Sequence, residues 1–190
     1  MANNVTYLNN VDSNRVNELL NSTSSNVEYF NNITNQTAKS YTADIDELMI
    51  KIYKDIKNAD SITTDKLESY FLELTNLLYF MGDRLEQLGV FSDMSKAAQK
   101  EIYNKAYLAN QVKDIDKKNK TTVAENQAVA EQESQYESVV NSVYDHAYKI
   151  VKFKIDAGFE MVNTLKKIIS RRMQDESLSM YQNKNFGIST

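Results

Sequence analysis

The stretch SITTDKLESYFLELTNLLYFMGDRLEQLG, residues 61–89, decides the fold class of this chain. Threonine and aspartate, which are common helix-capping residues, stand before Glu68, and an apolar series begins at once. Its members recur every three or four residues, as on one side of an α-helix: Leu67, Tyr70, Phe71, Leu74, Leu77, Leu78, Met81, Leu85 and Leu88. Gly89 is a favourable residue at which to end a helix. The pattern therefore predicts a long amphipathic helix.

The rest of the chain also lacks the residues that interrupt helices. Its 190 residues include no proline and four glycines, which favours long helices and argues against an all-β fold. Residues 1–60 are predicted to form an Asn-rich N-terminal arm with one or two helices. The part before residue 40 is either a weak helix or a segment that orders on a partner, and a firmer helix is expected at 43–58.

Residues 61–175 are predicted to form the core. We expect the chain to turn or kink at 89–93, where Ser92 or Asp93 can start the next helix, and to break again near the Lys/Thr-rich tract 117–122. A single helix is then expected over 123–175, with Thr121 or Thr122 as its cap and Glu125 completing a capping box. Residues 176–190 form a C-terminal tail.

The two long apolar stretches on either side of residues 117–122 are similar in length, so each can cover the other in an antiparallel hairpin. The second stretch often carries two apolar residues per turn, which is wider than a two-stranded seam requires. The fold class expected is therefore all-α, a long antiparallel helical hairpin with an N-terminal helical arm that assembles into a helical homo-oligomer. The predicted oligomer interface comprises Val140, Val143, Ile150, Val151, Phe159, Val162, Leu165 and Ile169.

Composition argues against catalysis and cofactor binding. The chain has no cysteine and a single histidine, His146, so neither a thiolate site nor a His-based metal site is expected. No nucleophile elbow, phosphate-binding loop or dinucleotide fingerprint accompanies His146. We therefore expect a non-enzymatic protein without cofactor or metal. Since no leader or membrane-span pattern is present, we expect it in the cytoplasm, the host cytoplasm if it is viral.

Positive charge is concentrated after residue 93. Residues 1–93 carry 7 Lys/Arg and 14 Asp/Glu, whereas residues 94–175 carry 14 and 11. Lysines alternating with tyrosines suit single-stranded nucleic acid, because ammonium groups contact phosphates while rings stack on bases. The candidate nucleic-acid-binding residues are Lys96, Lys100, Tyr103, Lys105, Tyr107, Lys113, Lys117, Lys118 and Lys120. A secondary candidate cluster comprises Lys166, Lys167, Arg171 and Arg172. The alternative is that these are ordinary solvated helix faces.

The order of these segments resembles the UvsY-type recombination mediators of T-even-like bacteriophages over residues 61–175. Thr64–Glu68 opens a helix and Leu77–Met81 continues it. An Ala-rich, Lys-dotted segment follows, with Lys96–Lys100 and Lys105–Tyr107, and after a polar connection Gln135-Tyr136 begins the last stripe.

This resemblance implies a helical protein that forms a ring through its C-terminal helices and binds single-stranded DNA. It further implies that the protein helps to load a strand-exchange recombinase onto DNA coated by single-strand-binding protein. Lys96, Lys100 and Lys105 would then lie on the family's basic DNA-binding helix.

Two other functions fit the same composition. A phage structural or assembly protein, such as a virion component, scaffold or chaperone, would also use long helices and an Asn-rich arm. A helical inhibitor of a host defence enzyme could use the acidic N-terminal half as a nucleic-acid mimic.

Overall fold

A computed structural model describes residues 13–57, 62–115 and 122–186, with side chains placed at 24–57, 62–111 and 122–181. These residues form four helices: α1 (Ser13–Lys57), α2 (Thr64–Ile115), α3 (Val123–Glu133) and α4 (Gln135–Phe186). No strand occurs in the described ranges. The predicted all-α class is confirmed.

Helix α2 is continuous through the segment where we expected a turn or kink, so that prediction was wrong. Gly89 has no left-handed backbone conformation, and a Cβ added to it would lie 3.4 Å from the Tyr148 ring. Next to it, Leu88 is fully buried, and the Phe91 ring stacks on Tyr144 with their centroids 5.7 Å apart. Packing against α4 therefore holds the helix together across a residue whose local preference is to end it.

Helices α2 and α4 run antiparallel, as the predicted hairpin requires. The Arg172 guanidinium donates a 2.6 Å hydrogen bond to the Ile62 carbonyl. Towards the other end, the Asn141 amide lies 3.5 Å from the Gln99 side-chain oxygen. Helix α3 continues the same line along α2, because Asn110 donates a 2.6 Å hydrogen bond to Asn126.

The chain opposite α2 is two helices and not the single helix expected over 123–175. Thr122 and Glu125 form the predicted capping box at the start of α3. The break falls at Ser134, which is buried and whose hydroxyl donates a 2.8 Å hydrogen bond to the Ala130 carbonyl. Helix α4 then continues to Phe186, through most of the predicted tail. The expected breaks near residues 58–61 and 116–121 lie outside the described residues.

Helix α1 is a single helix, which falls within the one or two helices expected for the arm, and no separate helix begins at residue 43. It runs parallel to α4, since Phe30 contacts His146 with ring centroids 5.7 Å apart and the Lys154 ammonium lies 3.0 Å from the Thr42 hydroxyl. The same lysine forms an ion pair with Asp46. The α1, α2 and α4 helices thus form a three-helix bundle, and α2 and α3 extend beyond it.

The core lies where α1, α2 and α4 meet. Its buried apolar residues are Ala38, Ile45, Leu48, Ile52, Leu67, Tyr70, Leu74, Leu78, Met81, Leu88, Ala147, Val151, Ile155 and Leu165. Helix α4 contributes to two contacts at once, with α2 on one side and α1 on the other. That double contact accounts for the width of its apolar stripe.

Tyr70 is the one core residue in this set that carries an ionisable side chain. It is fully buried, and its hydroxyl donates a 2.5 Å hydrogen bond to the Asp55 carboxylate of α1. Burial raises the pKa of Tyr70 to about 12, and the hydrogen bond to Asp55 and the nearby negative charges act in the same direction. The ammonium groups of Lys51 and Lys66 lie over the ring, 5.5 and 4.7 Å from its centroid.

The raised pKa predicts a loss of stability in alkali. Below about pH 10 Tyr70 is protonated in both states, whereas from about pH 10 to pH 12 only the unfolded chain releases the proton. The free energy of unfolding should therefore fall as pH rises through this range, and less so in Tyr70→Phe. Urea unfolding at about five pH values between about 8.5 and about 11.5 measures this pH dependence of the free energy of unfolding. Tyr53→Phe is the control, because Tyr53 is 63% exposed, and an equal pH slope in wild type and Tyr70→Phe would contradict the prediction.

Candidate nucleic-acid interface

Four of the predicted nucleic-acid-binding residues share one flank of α2, which we call the lysine–tyrosine flank: Lys96, Lys100, Tyr103 and Tyr107. Their spacing places them within about 60° of one another around the helix. The two lysines are exposed and the two tyrosines are half-buried. The tyrosine rings are nearly parallel, with an interplanar angle of 10° and centroids 6.4 Å apart. Together they present one aromatic surface beside two ammonium groups.

Lys105, which the sequence analysis names together with these four residues, lies on a different side of α2. It lies five residues after Lys100, which rotates it about 140° around the helix. Its ammonium forms an ion pair with Glu101, and this hydrogen bond lowers the pKa of the Glu101 carboxyl. Both groups are exposed, so the pair adds little stability.

The other candidates on this segment are not placed by the structure. Lys113 lies in α2, but its side chain is outside the described set. Lys117, Lys118 and Lys120 lie outside the described residues altogether. The flank therefore consists of the residues between Lys96 and Tyr107.

The surroundings of the tyrosines are mixed in charge. The Gln99–Asn141 and Asn110–Asn126 pairs lie along the same helix on either side of the rings. Glu131 and Glu133 of α3 are exposed, close to Asn126 in sequence. Because carboxylates repel phosphate, an anionic strand is best accommodated on the lysine side of the rings.

The residues of the secondary cluster make different kinds of contact. Lys166, Lys167 and Arg171 are exposed and line an open groove along α4 together with Glu160. Arg172 instead binds the Ile62 carbonyl and so fixes the start of α2. Lys166 is 25 residues beyond Asn141, about 38 Å along the helix, so this cluster and the lysine–tyrosine flank are well separated.

The predicted oligomer-interface residues differ in how far they are buried. Val143, Val151 and Leu165 are buried in the chain's own core, so they cannot face a second copy in this conformation. Val140, Ile150, Val162 and Ile169 are half-buried, and Phe159 is 51% exposed. Part of the apolar surface that we had attributed to assembly is thus covered within the chain itself.

Sequence reasoning missed a row of exposed apolar side chains on the outer side of α2: Leu72, Tyr79, Val90 and Leu108. The spacing of these four residues can be read from the sequence, but we considered only the apolar series of α2 that faces the core. The sole histidine, His146, contacts the Phe30 ring edge to face, with an interplanar angle of 87°. It therefore has a packing partner on α1.

The described side chains include no cluster of three or more histidine, cysteine, aspartate or glutamate residues that could hold a metal ion. Within the described ranges, no helix combines the length and apolar content needed to cross a bilayer. Comparison with protein-family models, curated proteins and solved structures gives no match.

Proposed function

We propose that this chain is a non-enzymatic, single-stranded-DNA-binding protein that acts as a phage-type recombination mediator in the host cytoplasm. The observation that carries the proposal is the lysine–tyrosine flank. Tyr103 and Tyr107 offer parallel rings on which bases can stack, and Lys96 and Lys100 supply cations for the phosphates beside them. Such a surface tolerates any base sequence, because every base has a stacking face.

The mediator role rests on the resemblance of residues 61–175 to UvsY-type proteins. A mediator must hold single strands while a recombinase and a single-strand-binding protein exchange places on them, which requires a moderate and salt-sensitive affinity. A short flank with two lysines and two rings suits such an affinity. Self-association would raise it by presenting several flanks to one strand.

Fluorescence titration of a labelled oligothymidylate with the full chain tests the proposal. Affinity should fall as salt rises, with a slope of about 0.7 per phosphate contacted. Replacing both lysines, Lys96→Gln and Lys100→Gln, should reduce that slope by roughly 1 to 1.5. The pair Tyr103→Leu and Tyr107→Leu should weaken binding by about tenfold or more at every salt concentration.

Lys152→Gln is the matched control, because Lys152 is an exposed lysine on α4 away from the flank. Circular dichroism should show unchanged helix content in all variants. Absence of binding at low salt, binding that does not weaken with salt, or equal effects of the Lys152 and flank variants would reject the proposal.

A second candidate is a phage structural or assembly protein. It is favoured by the large apolar side chains exposed on three different helices, among them Tyr53 at 63%, Tyr79 at 78% and Phe153 at 72%. Exposed apolar surface commonly marks contact with other proteins. A correctly folded chain that binds no DNA in the titration would favour this candidate.

A further inference from the structure

The outer side of α2 carries a straight row of exposed apolar residues, here called the outer row: Leu72, Tyr79, Val90, Ala97 and Leu108. The four larger side chains are 60%, 78%, 55% and 58% exposed in that order, and Ala97 is exposed as well. The steps alternate between seven and eleven residues. Eighteen residues make about five helical turns, so the row stays within about 20° of one line and spans about 54 Å.

The outer row lies on the side of α2 opposite the core. Leu74, Leu78, Met81 and Leu88 of the same helix are buried against α1 and α4. Scattered exposed apolar residues are normal on a protein surface, whereas exposed apolar residues that recur along one line of a helix are typical of an interaction surface.

The charges along α2 are polarised from one end to the other. Residues 64–93 carry six acidic residues and two basic ones, whereas residues 94–111 carry three lysines and one glutamate. A parallel pair of α2 helices would place acidic half on acidic half. An antiparallel pair places each acidic half on the basic half of the other copy.

We propose that the outer row binds the outer row of a second copy of this chain, antiparallel, about a two-fold axis near Asp93 and Met94. In this register Val90 lies opposite Ala97 of the second copy, and Tyr79 lies opposite its Leu108. Each contact occurs twice, as in any two-fold interface. The row needs little supercoiling, since its period matches that of a straight α-helix.

The register also pairs opposite charges on both sides of the row. Asp83 lies opposite Lys105 of the second copy on one side, and Glu86 lies opposite Lys100 of the second copy on the other. All four side chains are exposed in the single chain, where Lys105 also forms an ion pair with Glu101. The two copies of Asp93 lie near each other beside the axis, with Lys96 of each copy about one turn away.

Formation of this dimer does not require DNA, but the dimer would bind DNA more strongly than a single chain. Lys96, Tyr103 and Tyr107 lie roughly a quarter to a third of a turn from the outer row, so the second copy leaves them uncovered, whereas Lys100 lies nearer the row and faces Glu86 of the second copy. In an antiparallel pair the same flank of both helices faces the same side. The two tyrosine pairs would thus lie on one face of the dimer, about 35 Å apart along the helix axis.

Charge reversal tests the register in the full chain without nucleic acid. One variant carries Asp83→Lys and Glu86→Lys, and the other carries Lys100→Glu and Lys105→Glu. In sedimentation equilibrium the wild type should dimerise, and each variant alone should dimerise about tenfold more weakly or worse. An equimolar mixture of the two should restore wild-type dimerisation, because every reversed charge then meets its opposite.

A matched pair of valine substitutions tests the apolar row. Val90→Asp should weaken the dimer, whereas Val27→Asp should leave it unchanged, because Val27 is 51% exposed and lies on a different helix, α1. Circular dichroism confirms that each variant is folded. A monomeric wild type at about 50 µM, a dimer that survives both charge variants, or a mixture that fails to recover would overturn the proposal. Since no DNA is present, these outcomes are independent of the DNA titration.

Discussion

Replacing Leu165 with alanine is expected to lower the free energy of unfolding by about 2–5 kcal/mol. Leu165 is fully buried and belongs to the core cluster shared with α1 and α2. Truncation removes apolar contacts and leaves a cavity that long, continuous helices can close only in part. Urea unfolding, followed by circular dichroism at about 222 nm, measures the change in the free energy of unfolding.

Phe159→Ala is the matched control, because Phe159 lies on the same helix and is 51% exposed. Phe159→Ala should lower the free energy of unfolding much less than Leu165→Ala does, although it removes more atoms. The loss at Leu165 should also be the same at low and high protein concentration. A loss that disappears on dilution would instead place Leu165 between subunits, as the sequence had suggested.

Local signals predicted where α2 and α3 begin. The capping box of Thr122 and Glu125 depends only on residues within one turn, and it forms as expected. The apolar spacing of residues 67–88 likewise predicted which residues are buried, including Leu67, Leu74 and Leu88. Such features can be predicted because they do not require knowledge of which helix packs on which.

The errors arose where distant parts of the chain meet. Gly89 would end an isolated helix, but contacts with Tyr148 and neighbouring residues keep α2 continuous. The Asn-rich arm is a poor helix former by propensity, but buried Ala38, Thr42 and Ile45 anchor it to the bundle. The break at Ser134 has neither proline nor glycine to announce it.

The stripe on α4 shows why spacing in the sequence could not separate the chain's own core from an oligomer interface. A stripe wider than one partner requires a second partner, but the sequence does not say whether that partner is another copy or the chain's own arm. Val143 and Val151 pack within the chain itself. With part of the α4 stripe covered within the chain, exposed apolar side chains remain on α1, α2 and α4, and those on the outer side of α2 include the outer row.

The candidate DNA-binding surface could have been defined more sharply from spacing alone. Lys96, Lys100, Tyr103 and Tyr107 follow helical steps of three and four residues, which place them on one side. Lys105 breaks this series, and its contact with Glu101 agrees with that reading. The parallel arrangement of the tyrosine rings, by contrast, depends on side-chain rotamers and could come only from the structure.

Gly158→Val is expected to lower the free energy of unfolding by about 1–3 kcal/mol, because α4 lies close to both α1 and α2 at this residue. A Cβ added to Gly158 would lie 2.7 Å from the Leu78 Cδ2 atom and 3.1 Å from the Ile45 Cδ1 atom. Both neighbours are buried side chains, at 3% and 1% exposure, so they have little space into which to move. Relieving the overlap requires α4 to shift away from both helices. Urea unfolding measures the loss.

Gly82→Val is the control, since nothing lies within 4 Å of a Cβ added to Gly82. Valine is a better helix former than glycine, so this variant should match the wild type or exceed it by about 0.5 kcal/mol. The change in helix propensity from glycine to valine is the same in both variants. A difference between their free energies of unfolding therefore reports the effect of packing at Gly158. If Gly158→Val unfolded at the same urea concentration as the wild type, the three helices could not be in close contact at this level. The wide stripe of α4 would then again be free to bind a second copy.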